Sequence, residues 1–207
     1  VTGAGYEVEN YIWTFPLWTT FYVRAGWTVR VKKTSSGNWA YIAIAGGFDS
    51  PVIMNSRSAY LRGGIGAALK TGDVLHSFTP TTDLLKLAAR DFPVDKYIQY
   101  SQSPTIEVIP APQADWFTAE GIRTFYESEY TLSPTFDRMG YRLQTLSSPS
   151  SAKGIEKAIT KELISEGMTM GSIQIPADGQ PIVMMADTPT TGGYPKIANI
   201  TLASLPL

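Results

Sequence analysis

The 207-residue sequence contains no cysteine and a single histidine, His76. Without cysteine there is no disulfide, no thiolate nucleophile and no zinc–thiolate site, and one histidine cannot form a multi-histidine metal site. The lack of disulfide chemistry agrees with a reducing compartment, and we predict a cytoplasmic protein. His76 lies in an alternating run, which is typical of a strand residue rather than a catalytic base. We therefore predict no metal site and assign no catalytic residue.

An excess of one charge and long apolar runs are also missing. Lys plus Arg number 17 against 18 Asp plus Glu, a formal net charge of −1. A nearly neutral chain has no basic field that would attract nucleic acid or an anionic membrane. Although 43% of the residues are hydrophobic, no uninterrupted apolar stretch approaches the roughly 20 residues of a membrane helix. We expect neither nucleic acid nor a membrane as a partner.

What the sequence does contain is a series of short β-forming runs separated by Gly and Pro. Residues 172–175 and 181–185 flank a Pro-x-Asp-Gly turn and predict a hairpin. Residues 39–45 form an apolar run that we expect to be a strand buried on both faces. An amphipathic helix is predicted from Thr118, its cap, to Ser128. Many short strands with a few short helices indicate a mainly β protein.

Two features carry chemistry suited to an anionic group. In TTGGYP, residues 190–195, adjacent glycines between hydroxyls and an aromatic ring let the backbone approach a small polar group. The guanidinium groups of Arg57 and Arg62 can bind a carboxylate or phosphate through two N–H donors. Both features also have a structural interpretation. The glycines can form a tight corner, and the arginines can pair with Asp49 or Asp73.

Four ordered motifs resemble one protein family. The last is GSIQIPADGQPIVMMAD followed by TTGGYPKIA. It is preceded by YIAIAGGFDSPVIMNSRSAYLRGGIGAALKTGD at residues 41–73, PQADWF at residues 112–117 and DRMGYRL at residues 137–143. Together these motifs cover most of the chain from Ala40 onward, and they resemble the biotin-dependent carboxyltransferase subunit family. The same family is described as allophanate hydrolase subunit 2, the KipI antagonist KipA and the C-type subunit of bacterial 5-oxoprolinase.

The start of the sequence departs from this family. Its members usually carry a leading segment of several dozen residues with a further Gly-rich motif, whereas this sequence opens at VTGAGYEVEN without an initiator Met. We expect a fragment, a processed product or one piece of a split protein.

The resemblance implies cyclophilin-like β-barrel subdomains. We expect a first β subdomain at residues 1–80, incomplete at its N-terminus, a connector at residues 81–103 and a second, cyclophilin-like barrel at residues 104–207. Residues 155–164 have two interpretations. Their apolar spacing of i, i+4 and i+8 predicts a helix, whereas the resemblance implies a shorter element.

By resemblance, the chain would be an enzyme subunit that works beside a KipI-like subunit, of the type found as allophanate hydrolase subunit 1 or as the B-type subunit of 5-oxoprolinase. The favoured activity is ATP-dependent hydrolysis of an amide or lactam, with 5-oxoproline converted to glutamate. The alternatives are the carboxyltransferase component of a urea carboxylase and allophanate hydrolase system, and a non-enzymatic, KipA-like regulator that binds a KipI-type kinase inhibitor. Peptidyl-prolyl isomerase activity is not expected, because a barrel type alone does not transfer chemistry.

Both enzyme hypotheses require donors that hold an anionic oxygen. The candidate substrate-binding residues are Arg57, Arg62, Gly63, Gly64, Gln174, Thr190, Thr191, Gly192, Gly193 and Tyr194. The arginines, glycine amides and threonine hydroxyls would hold the oxygen, and Gln174 or Tyr194 would orient the substrate. No activated nucleophile is visible, so we expect the subunit to be inactive alone.

The sequence also contains no biotin-attachment motif. ATP, and biotin in the urea carboxylase alternative, would be carried by partner subunits, with no cofactor bound covalently here.

Overall fold

The computed structural model describes residues 2–3, 6–10, 13–33, 39–96, 104–146, 154–159 and 161–205. The chain divides into two units, Val1–Gln102 and Ser103–Leu207. The boundaries expected from the sequence stay predictions, and residues 97–103 of the expected connector lie outside the described residues. Short strands and a few short helices make up the described elements, so the prediction of a mainly β protein is confirmed. Among the described residues, no helix combines the length and apolar character needed to cross a bilayer.

The described residues of the first unit form two small antiparallel strand groups and a short helix. Its elements are β1 (Thr2–Gly3), β2 (Tyr6–Glu9), β3 (Thr14–Phe15), β4 (Arg30–Lys33), β5 (Ala40–Tyr41) and α1 (Leu84–Leu87). Strand β1 pairs with β5, and β2 lies between β3 and β4. Helix α1 begins after Asp83, whose carboxylate accepts the N–H of Leu85 and so satisfies one of the free amides of the first turn. The chain after α1 is held to Thr20, whose carbonyl accepts the N–H of Ala89.

The apolar run at residues 39–45 is not the buried strand that its sequence predicts. Only β5 is strand, and the side chains of Tyr41 and Ile42 are 53% and 52% exposed. Strand β5 pairs with β1 at two positions, after which Gly46 and Gly47, both with positive φ, turn the chain. The prediction of burial on both faces is wrong because this short pairing leaves the apolar side chains beyond it uncovered within the described part of the unit.

The second unit is built on a six-stranded antiparallel sheet. Its elements are β6 (Val108–Pro110), α2 (Ala119–Glu127), β7 (Tyr130–Leu132), β8 (Gly140–Thr145), β9 (Glu166–Gly167), β10 (Ser172–Gln174), β11 (Ile182–Met184), β12 (Thr191–Gly192) and β13 (Lys196–Ile200). The sheet order is β6-β13-β10-β11-β8-β7, and β9 pairs separately with β12. Strand β6 is outermost, which suits Pro110 because proline has no N–H to give to a further strand.

The predicted hairpin and the predicted amphipathic helix are both confirmed. Strands β10 and β11 pair across a turn in which Gly179 has φ 72° and donates its N–H to the Pro176 carbonyl at 3.2 Å. Helix α2 is capped by Thr118, whose hydroxyl accepts the Gly121 N–H at 2.9 Å. The apolar face of α2 packs on a buried cluster formed by Phe117, Ile155, Ile173, Ile175, Ile197 and Ala198. Burial of such a cluster is the main source of stability for this unit.

Residues 154–159 contain no helix, so the helical interpretation of residues 155–164 is wrong where the structure describes them. The backbone N–H groups, which in a helix would bond to carbonyls of the same segment, donate instead to carbonyls of other segments. Ile155 donates to the Gly179 carbonyl at 2.9 Å, and Ala158 donates to the Trp116 carbonyl at 2.8 Å. The segment therefore bridges the β10–β11 turn and the short 3-10 turn at Ala114–Trp116 that precedes α2.

The segment at residues 154–159 can lie against α2 because residue 121 of the helix is glycine. A Cβ atom on Gly121 would overlap the Glu156 carbonyl oxygen and would lie 3.0 Å from the Glu156 nitrogen. Both obstacles are backbone atoms, which cannot rotate away as a side chain can. Residue 121 must therefore be glycine for the segment to lie against α2.

Candidate functional site

The candidate residues fall into two groups, one in each unit. Arg57, Arg62, Gly63 and Gly64 belong to the first unit, and Gln174 with residues 190–194 belongs to the second.

In the first unit, Arg57 follows a tight turn in which Met54 and Asn55 have positive φ. Its Nη1 atom lies 3.3 Å from Asp49 Oδ1 and donates to the Ser50 carbonyl, and its guanidinium lies 4.7 Å from the Phe78 ring centroid. The side chain is 41% exposed. The pair with Asp49 expected from the structural interpretation is present, and a partly exposed pair of this kind adds little stability.

Arg62 lies in a 3-10 turn, Leu61–Gly63, that Gly64 ends with φ 67°. The Gly63 amide donates to the Tyr60 carbonyl at 3.0 Å, and the Gly64 amide donates to the Leu61 carbonyl at 3.1 Å. These two amides already have acceptors, so an anion would have to compete for them. The anion-binding role of this turn stays a prediction.

In the second unit, the TTGGYP motif contains β12. Strand β12 pairs with β9, and the Thr190 carbonyl accepts the Met168 N–H at 2.9 Å. A Cβ atom on Gly192 would lie 2.9 Å from Met168 Cγ and 3.3 Å from Gln174 Oε1. The structure therefore brings together Gly192 and Gln174, two of the candidate residues. Tyr194 is 48% exposed.

A cleft of about 890 Å³ opens beside this motif. Its walls are α2, the segment that follows Gly154, the β10–β11 turn and residues 193–195, so that Gly193 and Tyr194 line it. Burial lowers the pKa of Lys157 in the cleft wall, and the nearby charge of Asp178 opposes this shift. A cleft of this size with an aromatic ring and charged groups in its walls has the general properties of a small-molecule site.

A partly buried hydrogen-bond network holds β9 against the start of β13. The Lys196 ammonium donates to Glu166 Oε2 and to the Gly167 carbonyl, each at 3.0 Å. Gln113 Nε2 donates to the same Glu166 oxygen at 2.8 Å, and Gln113 Oε1 accepts the Lys196 backbone N–H at 3.3 Å. The Lys196 side chain is 7% exposed, so its charge depends on these partners. This network fixes the position of the β9–β12 pair and hence of Gly192.

Two of the family-like motifs meet through an ion pair. Arg138 of DRMGYRL donates through Nε to Asp187 Oδ2 at 3.0 Å and through Nη2 to Asp187 Oδ1 at 2.9 Å. This bidentate geometry fixes the start of β8 against the chain that follows β11.

The cleft can bind a small polar molecule, because its walls offer the Tyr194 ring, the Gly193 backbone and charged side chains. Within the described residues, no group of three or more His, Asp or Glu side chains is placed to hold a metal ion.

Residues 1–207 match the model of the carboxyltransferase domain, subdomain A and B. The chain belongs to this carboxyltransferase-domain family. It is 34% identical to the C-type subunit of 5-oxoprolinase from Escherichia coli strain K12 over 99% of this chain and 63% of that protein. It is 26% identical to urea amidolyase of Saccharomyces cerevisiae over 83% of this chain and 10% of that protein.

A solved structure extends the likeness to the fold. The crystal structure of TTHA0988 matches with a TM-score of 0.78 and 28% identity, over 99% of this chain and 38% of that one. This match agrees with the β-barrel-like fold class implied by the four motifs. The carboxyltransferase-domain chain spans 63% of the length of its 5-oxoprolinase relative, so the longer protein contains parts that this chain does not.

Reasoning from the sequence missed Gln113, Glu166 and Lys196. Lys196 carried a usable signal. It begins the apolar strand KIANI directly after the TTGGYP motif, and a lysine in such a strand is rarely buried without an acidic partner. Glu166, 30 positions earlier, could not be identified as that partner from periodicity, because β9 is only two residues long.

The network makes stability depend on pH through Glu166. The hydrogen bond from Lys196 holds the pKa of this carboxyl below its ordinary value of 4.5; burial opposes the shift, and the bond from Gln113 adds to it. A carboxyl with a lowered folded-state pKa stabilises the fold above its unfolded pKa, and this contribution is lost as pH falls through the folded pKa. We expect Glu166→Gln to destabilise the protein at pH 7, with a difference from wild type that shrinks below about pH 4.5.

Urea unfolding of both proteins between pH 3 and 7 measures this dependence. Glu129→Gln, at an exposed position of the same unit, is the control and should follow the wild-type profile. A Glu166→Gln difference that stays constant with pH would contradict a stabilising ionised carboxylate.

Proposed function

We propose that this chain is part of a subunit of a heteromeric, ATP-dependent amide or lactam hydrolase that converts 5-oxoproline to glutamate. The observation that carries the proposal is the 34% identity to the C-type subunit of 5-oxoprolinase along 99% of this chain. Because the chain spans 63% of that relative, the complete activity belongs to the longer protein and its partners.

The chemistry of the second unit supports a binding role. Gln174, the threonine hydroxyls and Tyr194 can orient a small amide, whereas none of them is an activated nucleophile. The reactive step would then take place with a KipI-like partner subunit that carries ATP. No cofactor would be attached covalently to this chain, and the complex would work in the cytoplasm.

One alternative has a specific observation in its favour. The likeness to urea amidolyase of Saccharomyces cerevisiae covers 83% of this chain. In that case the chain would be the carboxyltransferase component of a urea carboxylase system, and biotin would arrive on another subunit.

The test is ATP hydrolysis by the intact protein co-purified with its KipI-like neighbours, with and without 5-oxoproline. Stimulation by 5-oxoproline is the expected result. Stimulation only by urea with bicarbonate would favour the carboxyltransferase alternative. A stable complex that responds to neither would favour a KipA-like regulator, and failure to form a complex would remove the partner assignment.

We expect Arg57→Ala to lower 5-oxoproline-dependent turnover by about 10-fold or more, because a guanidinium bonded to an anionic oxygen contributes roughly 1.5–3 kcal/mol. Assembly and folding should be unaffected, since Arg57 is 41% exposed and its ion pair is weak. Arg24→Ala, which removes an arginine stacked on Trp27, is the control. Steady-state kinetics and size-exclusion chromatography measure the two effects, and unchanged turnover would remove Arg57 from the site.

A further inference from the structure

One polar atom of the Gln174 side chain is buried without a hydrogen-bond partner in the part of the chain that the structure describes. Gln174 is 8% exposed, and its Oε1 atom has no hydrogen-bond donor within the described residues. The amide Nε2 lies 3.2 Å from Met184 Sδ. A thioether sulfur can only accept, so the amide must present its N–H₂ group to Met184 and its carbonyl to the other side.

That other side is the space over Gly192. The position a Gly192 Cβ would take lies 3.3 Å from Gln174 Oε1, so a side chain at residue 192 would crowd the carbonyl. The same position lies 2.9 Å from Met168 Cγ and 3.0 Å from Met168 Sδ. The Met168 side chain therefore lies over Gly192, on the side where the Gln174 carbonyl also approaches. Methionine is unbranched and has several rotatable bonds, so this side chain can move aside at low cost.

A buried acceptor without a hydrogen-bond donor lowers the stability of the folded protein. Leaving a buried carbonyl without a donor loses the hydrogen bonds that it makes to water in the unfolded chain. Residues that oppose folding in this way are found at functional sites, where a ligand supplies the missing interaction. An apolar residue of similar length would fill the same volume without this cost.

We propose that Gln174 Oε1 accepts a hydrogen bond from the N–H group of an amide-type substrate, which enters over Gly192 when the Met168 side chain moves aside. This inference rests on the proposed function for its choice of ligand class. The lactam N–H of 5-oxoproline and the N–H₂ of urea present the same donor, so both members of the class satisfy the carbonyl.

The first test is thermal unfolding of the full-length protein without ligand. Gln174→Met removes the unpartnered acceptor and should raise the melting temperature by about 2 °C or more. Gln180→Met is the matched control. Its Oε1 atom accepts the Thr145 N–H at 3.0 Å, so the same substitution should lower the melting temperature. If Gln174→Met lowers the melting temperature as Gln180→Met does, Gln174 is structural and the proposal is overturned.

The second test is calorimetric binding to the co-purified complex, with 5-oxoproline, its N-methyl derivative and urea as probes. In the wild type, methylation of the lactam nitrogen should weaken binding by about 10-fold or more, because it removes the donor. In Gln174→Met the lactam and its N-methyl derivative should bind within about twofold of each other. If the wild type and Gln174→Met distinguish the lactam from its N-methyl derivative equally well, the assignment of Gln174 is overturned. It is also overturned if neither 5-oxoproline nor urea binds to the wild-type complex.

The binding test and the ATP hydrolysis assay together separate this inference from the proposed function. If the wild type binds urea but not 5-oxoproline, and Gln174→Met no longer binds urea, the role of Gln174 Oε1 as acceptor is supported and lactam hydrolysis is rejected. Stimulation of ATP hydrolysis by 5-oxoproline that is unchanged in Gln174→Met would support the function while rejecting the acceptor.

Discussion

Replacing Gly121 with alanine should destabilise the second unit by about 2–3 kcal/mol, although alanine normally favours a helix by about 1 kcal/mol over glycine. The added Cβ would overlap the Glu156 carbonyl oxygen and press on the Glu156 nitrogen. Because these are backbone atoms, the segment 154–159 must move away from α2, and Ile155 would be drawn out of the core cluster. Urea unfolding measures the loss, and the cleft beside Tyr194 should change shape with it.

Gly167→Ala is the control for this substitution. A Cβ atom at Gly167 would meet nothing within 4 Å, so its free energy of unfolding should stay within about 0.5 kcal/mol of wild type. If Gly121→Ala were as stable as wild type or more stable, helix propensity would outweigh the contact, and the close approach of Glu156 would not constrain residue 121.

The second large effect is expected for Lys196→Met. The substitution keeps most of the length of the side chain but removes the ammonium that donates to Glu166 and to the Gly167 carbonyl. Breaking a fully buried pair costs about 3–5 kcal/mol, and we expect about 2 kcal/mol because Glu166 can regain water. Turnover with 5-oxoproline should fall by about 10-fold or more, since the β9–β12 pair that positions Gly192 loses its anchor.

A double-mutant cycle distinguishes a coupled pair from two independent losses. Adding Glu166→Gln to Lys196→Met removes the carboxylate left without its cation and should recover part of the lost stability. Lys86→Met, in an exposed position of α1, is the control and should be neutral. Costs that simply add in the double variant would contradict the coupling between Lys196 and Glu166.

The elements that could be predicted from the sequence are those specified by adjacent residues. Thr118 caps α2 through a bond to Gly121, three positions away, and the β10–β11 hairpin is set by the turn at Gly179. The segment after Gly154 has a helical pattern, yet its amides bond to Gly179 and Trp116. These distant acceptors leave no mark on the local spacing, so the periodicity predicted the wrong element.

In the candidate site too, the features set by adjacent residues could be predicted, and the contacts between distant residues could not. The glycines of TTGGYP were recognisable because adjacent glycines are costly in a strand and therefore need a reason. The importance of Gly192 for Gln174 depends on β10 and β12 approaching each other, with Met168 packed against Gly192. The network of Gln113, Glu166 and Lys196 joins residues up to 83 positions apart. Such pairs follow from the sheet order, which no single-sequence pattern specifies.

The outer strand β6 has a consequence for the protein at high concentration. Strand edges with free amides can pair with the edges of other molecules and start aggregation. Pro110 ends β6 and has no N–H, so a neighbouring molecule that tried to extend the sheet there would lose a ladder hydrogen bond at that position. The residue thus acts as a gatekeeper against intermolecular sheet growth along this side of the second unit.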